Sequence, residues 1–128
     1  MAIQDLKERF KRFAIEVSLL IQKLPKNNIN YAYCNQLVRC SSSPGANYRA
    51  ASRAKSKKDF INKLKMVEEE LDESIFFLEL LNHFNPQFNE VINKNLNEEM
   101  NSSQLLYSRW KRLEKIRRDD SFSLYQNS

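Results

Sequence analysis

One glycine, three prolines, two cysteines, one histidine and one tryptophan are all that this chain holds of those residue types. Each scarcity removes a class of fold or chemistry. A β-sheet protein needs turn residues at short, regular intervals, and Gly45 with Pro25, Pro44 and Pro86 cannot supply them. Two cysteines with one histidine do not complete a zinc site, and Cys34 and Cys40, six apart on one expected helix, cannot bridge to each other there. A pair of reduced thiols in the cytoplasm is the simplest expectation. No apolar run approaches the ~20 residues that span a bilayer. The opening MAIQDLKERFKRF is charged throughout and lacks the apolar core and small-residue cleavage site of a secretory signal.

Catalytic parts are equally scarce. His83 has no acid or nucleophile at a meaningful spacing. The carboxylates Glu68, Glu69, Glu70, Asp72 and Glu73 are unaccompanied by the Glu-x-x-His pairs that di-metal bundles use, and read as a solvated acidic face. There is no glycine-rich phosphate loop and no Ser/His/Asp or Cys/His set. The chain is therefore expected not to be an enzyme, to hold no metal, to need no cofactor and to keep clear of the membrane.

What remains is a helix-forming composition. The 128 residues are 41% apolar and 29% charged, enough for a single core. Leu6, Phe10, Phe13, Val17, Leu20 and Leu24 recur at alternating spacings of 4 and 3, an apolar seam with Lys7, Arg9, Lys11 and Arg12 beside it. Ser56 with Asp59 resembles a capping box. Behind it Phe60, Leu64, Val67, Leu71, Ile75, Leu78 and Leu81 continue a third helix. Asn85-Pro86 reads as an N-cap with proline at the first helical position, followed by Ile92, Leu96, Met100, Leu106, Trp110 and Leu113. The expected architecture is all-α, an antiparallel up-down-up-down four-helix bundle over 1–118 with a flexible tail at 119–128.

The second helix is the difficult one. RCSSSPGANYRAASRAKSKKDF, from Arg39 to Phe60, looks at first like a hinge. Beyond Pro44-Gly45, however, Ala46, Ala50, Ala51 and Ala54 favour helix. The expectation is one helix from about Asn30 to Lys55, bent or loosened near Ser43–Gly45, with Ser42, Ala46, Ala50 and Ala54 as a close-packing row.

Charge is segregated. From Arg49 to Lys65 seven bases face one acid, Asp59; from Glu68 to Glu79 there are six acids and no base; from Arg109 to Arg118 six bases accompany one acid. The Arg49–Lys65 block, with Arg39 ahead of it, suggests a nucleic-acid surface of Arg39, Tyr48, Arg49, Arg53, Lys57, Lys58 and Lys63, with Tyr48 stacking on a base. The bland alternative pairs these bases with acidic helix 3, Arg39 with Asp59 or Glu69. The C-terminal cluster suits a solvated helix end or a second phosphate patch. The run Ile75, Phe76, Phe77, Leu80 is apolar on more than one face, as an oligomer contact would be.

The block QLVRCSSSPGANYRAASRAKSKKDFINKLKMVEEELDESIFFLELL, Gln36 to Leu81, together with Leu24-Pro25 and Tyr33, resembles the bacterial four-helix-bundle proteins linked to intervening sequences in 23S rRNA genes. It is also similar to the accessory proteins of diversity-generating retroelements. The positions that carry the likeness are Gln36, Arg39, Asn47, Tyr48, Arg53, Ser56, Asp59, Phe60 and Lys63. Pro44 and Phe77 depart from it, where many relatives carry an aliphatic residue and often tryptophan. The resemblance implies a bundle assembling into a ring, a homopentamer, with a basic surface for RNA or DNA and no enzymatic activity. Two functions follow: binding of structured RNA through helix 2 and the helix 2–3 turn, or a protein–protein adaptor that docks another protein.

Overall fold

A computed structural model describes residues 3–98 and 101. Three helices, α1 (Ile3–Lys23), α2 (Asn28–Ala51) and α3 (Lys57–Phe84), precede a short 3-10 turn at Pro86–Phe88 and a fourth helix, α4, described over 89–98. Among the described residues there is no strand, so the fold is all-α. The second half of helix 4, the tail at 119–128 and the basic cluster from Arg109 to Arg118 lie outside the described residues.

The α1 seam forms as its spacing demands: Leu6, Phe10, Phe13, Val17, Leu20 and Leu24 are all buried. On α2 the inner face is Leu37, Ser41, Pro44, Tyr48 and Ala51; on α3 it is Phe60, Leu64, Val67, Leu71, Ser74, Leu78 and Leu81. Ser74 takes the seam place expected for Ile75, which is only half-buried. A small side chain is accommodated there because its hydroxyl donates to the Glu70 carbonyl at 3.0 Å, leaving no unmet donor in the core. Phe10 of α1 meets Tyr48 of α2, and along α2 and α3 the contacts run in opposite order, Asn47 meeting Glu70 and Tyr33 meeting Phe84. That is the order antiparallel neighbours produce.

Helix α2 is continuous through Pro44, so the expected loosening is not a break. Proline has no N–H to offer the carbonyl four residues back. The serines ahead of it add donors on that turn: Ser42 Oγ donates to the Val38 carbonyl and Ser43 Oγ to the Arg39 carbonyl, each at 2.8 Å. The helix ends earlier than expected, at Ala51. Arg53 and Ala54 N–H then donate three residues back, to Ala50 and Ala51, which turns the chain and drives Ala54 into the core. The close-packing row also differs from expectation. Ser42 and Ala46 are exposed, and the near approach of α1 to α2 falls at Gly45, where an added methyl would lie 3.5 Å from Phe10 Cβ.

The two ends of the bundle are closed differently. At the α2–α3 turn, Ser56 Oγ accepts from Asp59 N–H at 3.0 Å, the cap expected from the sequence. At the opposite end Asn85 makes no side-chain cap to the segment after it. Its amide instead exchanges two bonds with Asn30, of 2.8 and 2.9 Å, and donates to the Leu81 carbonyl at 2.9 Å. Asn30 also donates to the Pro25 carbonyl, and its N–H is held by Asn27. This pair is almost fully buried, 3% exposed at Asn30 and 2% at Asn85, and ties the α1–α2 turn to the end of α3. The N-cap role expected of Asn85 is therefore corrected: burial reserves its amide for another buried amide.

Candidate nucleic-acid interface

The seven residues expected to form one basic surface are distributed over four environments. Tyr48 is 1% exposed, with its ring edge-on to Phe10 at a centroid distance of 5.3 Å. It is a core residue and has no face to give a base, because the α2 inner stripe passes through it. Arg39 is paired. Its guanidinium donates to Glu73 Oε2 at 2.6 Å and to Gln36 Oε1 at 3.2 Å. The intramolecular alternative holds for this arginine, with Glu73 rather than Asp59 or Glu69 as its partner. Lys63 is half-buried on α3, seven residues before Glu70, which accepts from Asn47 of α2.

Arg49 has different company. It lies on the flank of α2 that faces α1 and lines a shallow groove of ≈ 340 Å³ with Lys7, Lys11, Phe10, Ala14, Gly45 and others. Three bases and no acid line this groove. Its floor is low because Gly45, Ala46 and Ala14 have little or no side chain, and Lys11 and Arg49 reach outward as exposed side chains. Arg53, Lys55 and Lys58 are exposed around the adjoining α2–α3 turn, with Lys57 half-buried among them. The same end of the molecule is underlain by Leu6, Phe10, Tyr48, Ala54 and Phe60, so a rigid core sits beneath the cations.

Lys7 and Lys11 were not expected in the site. Four apart on α1, they share a flank, but the sequence does not say which neighbour that flank meets. Of the acids, Glu68, Glu69, Asp72 and Glu79 are exposed on α3, Glu98 is drawn to Arg9 at 2.8 Å, Glu8 is exposed beside Lys7, and Asp59 sits half-buried in the first turn of α3.

Other chemistry finds little footing. Both cysteines are free and buried, and burial pushes each thiol above its ordinary pKa, which disfavours a reactive thiolate. His83 is exposed, edge-on to Phe84 at 5.0 Å. Among the described residues no group of three or more His, Cys, Asp or Glu is placed to hold a metal ion, and no helix is long and apolar enough to cross a membrane.

Of the residues expected in an oligomer contact, Phe76 is 54% exposed, while Ile75, Phe77 and Leu80 are half-buried. Phe77 packs on the core and against Tyr33, so its contribution is largely internal.

With this geometry in place, the comparisons are specific. The model of the 23S rRNA-intervening sequence protein family matches residues 4–108. The chain belongs to that family. A crystal structure of a protein of unknown function from the S23 ribosomal protein family of Bacteroides thetaiotaomicron is similar, with a TM-score of 0.74 and 31% identity, over 80% of this chain and 95% of that one. No curated protein matches. Several family-signature positions have structural duties here: Arg39 with Gln36 and Glu73, Asn47 with Glu70, Tyr48 in the core, and Ser56 as the α3 cap.

Proposed function

We propose that this family member is a non-enzymatic protein that binds structured RNA through the basic end of its bundle. The observation that carries the reading is the α1–α2 groove, where Lys7, Lys11 and Arg49 converge with no acid among its lining residues. Arg53, Lys55 and Lys58 extend that surface around the α2–α3 turn. Exposed cations without a carboxylate partner release phosphate counterions at least cost in lost internal contacts. A shallow groove on rigid helices suits the backbone of a folded nucleic acid better than base reading, which needs exposed aromatic platforms or deep pockets. The family's description, which names a 23S rRNA intervening sequence, favours RNA over DNA as the ligand. Tyr48 and Arg39 have no part in this surface.

The test is an electrophoretic titration of a structured RNA with the wild-type protein and with Lys11→Glu/Arg49→Glu. Both side chains are exposed, so the fold tolerates the change. The expected outcome is a loss of affinity of at least about tenfold at low salt. Equal affinity of the two proteins at matched salt would refute the proposal.

A further inference from the structure

We propose that the cleft at the α1–α2 turn binds a small amphipathic monocarboxylate, with its apolar body between the two helices and its carboxylate on Lys26. This inference goes beyond the RNA-binding reading and does not rest on it. The cleft measures ≈ 480 Å³, and its apolar lining is Ile21, Leu24, Cys34 and Val38. Small-molecule pockets span about 300–1,000 Å³, so the size suits a compact organic guest. Leu24 and Cys34 are buried beneath it, while Val38, 43% exposed, offers hydrocarbon to whatever enters. Tyr31, 72% exposed, stands at the same cleft, where its ring can lie on an apolar guest and its hydroxyl stay in water.

The turn that shapes this cleft is held before any ligand arrives. Two of the lining residues, Pro25 and Asn30, are joined by a 2.9 Å bond from the Asn30 side-chain amide to the Pro25 carbonyl. The Asn27 side chain accepts from Asn30 N–H at 2.8 Å, and Asn85 fastens the same asparagine to the end of α3. A site fixed in this way loses little freedom when it is filled, which favours binding of a small guest.

Charge selects the occupant. Lys26 is the one charged residue that lines the cleft, and no acid does. A lone cation beside hydrocarbon calls for a guest with an apolar body and one negative end. The field of Lys26 also reaches inward: burial raises the pKa of the Cys34 thiol, and the Lys26 charge opposes part of that rise. A phosphate or a polyanion would want an arginine fork or several cations, and those gather in the separate groove of Lys7, Lys11 and Arg49. One ammonium matches one carboxylate. Asn28 and Asn35, exposed at the same cleft, supply amide N–H donors for its second oxygen.

The experiment is a chemical-shift titration of the backbone amides of the full chain with octanoate, at neutral pH, where the carboxylate is ionised. Octanol and octylammonium are titrated in parallel. Expected are saturable shifts around the cleft with octanoate, and affinities at least about tenfold lower for the neutral and cationic analogues. Lys26→Gln should weaken octanoate binding about tenfold at low salt and by less at high salt. Val38→Asp, which sets a like charge against the carboxylate, should abolish it. Lys94→Gln removes an exposed cation of α4 outside the cleft and should bind as wild type does. Lys26 and Val38 are exposed, so neither change buries a charge, and helical circular dichroism verifies each fold. No saturable shift with octanoate, equal affinity for octylammonium, or unchanged affinity in Lys26→Gln overturns the proposal. So does sedimentation with phosphatidylglycerol vesicles in the absence of octanoate binding, which would assign the cleft to a lipid surface.

Discussion

At the α2–α3 turn the chain closes over hydrocarbon and leaves its charges outside; at the opposite end it closes over amides and leaves hydrocarbon outside. The first end rests on Leu6, Phe10, Tyr48, Ala54 and Phe60, with Ser56 capping α3 and cations around the rim. The second is held by the reciprocal Asn30–Asn85 pair, with Tyr31 and Phe84, each next to one of its asparagines in sequence, exposed. The difference separates two tasks. A charged end over a firm core is fitted to a polyanion, where orientation matters less than charge density. An end fastened by directional bonds holds its helix termini in one register, as a shape-specific cleft requires.

Four substitutions sharpen this contrast. The largest effect is expected at Asn85→Ala. It leaves Asn30 buried with unmet amide groups and should cost about 2–4 kcal/mol in urea unfolding, whereas Asn30→Ala/Asn85→Ala together should cost less than the sum of the single changes. Additive losses would mean that the pair does not act as a unit. Gly45→Ala, over the other half of the core, should do the reverse. The site is helical and an added methyl meets Phe10 at ordinary contact distance, so removing the glycine's backbone freedom should raise stability by about 0.5–1 kcal/mol. A clear loss there would place α1 and α2 closer than described. Arg39→Ala should have the smallest effect, at most about 1 kcal/mol, because its ion pair with Glu73 is half in water. RNA affinity should be indifferent to it, and a marked fall would return Arg39 to the binding surface.

The helix seams were legible in the sequence because burial repeats at helical spacing, and Ser56 was legible as a cap because its acceptor acts within three residues. Tyr48 shows where that legibility ended. Counted with Arg49 and Arg53 it looked like part of a basic, aromatic face, yet its place in the Leu37–Ser41–Tyr48–Ala51 stripe was the stronger signal. Asn85 was misread for a related reason: Asn-Pro is a local start signal, but its partner lies 55 residues away at Asn30. The same holds for Lys7 and Lys11. Their helix was plain from spacing, while the groove they share with Arg49 exists only once α1 and α2 are side by side. Fold, set by periodic burial, could be read from one strand of text; the site, assembled across helices, could not.

The measurement that bears most directly on the functional account is the salt dependence of RNA binding at the two ends. Affinity for a structured RNA would be followed over ~50–200 mM salt for wild type, for Lys11→Glu/Arg49→Glu and for Lys23→Glu/Lys26→Glu. The account predicts a slope of log affinity against log salt that is shallower by about 2 for the first pair and unchanged for the second. Equal changes in both pairs, or a wild-type affinity indifferent to salt, would contradict it.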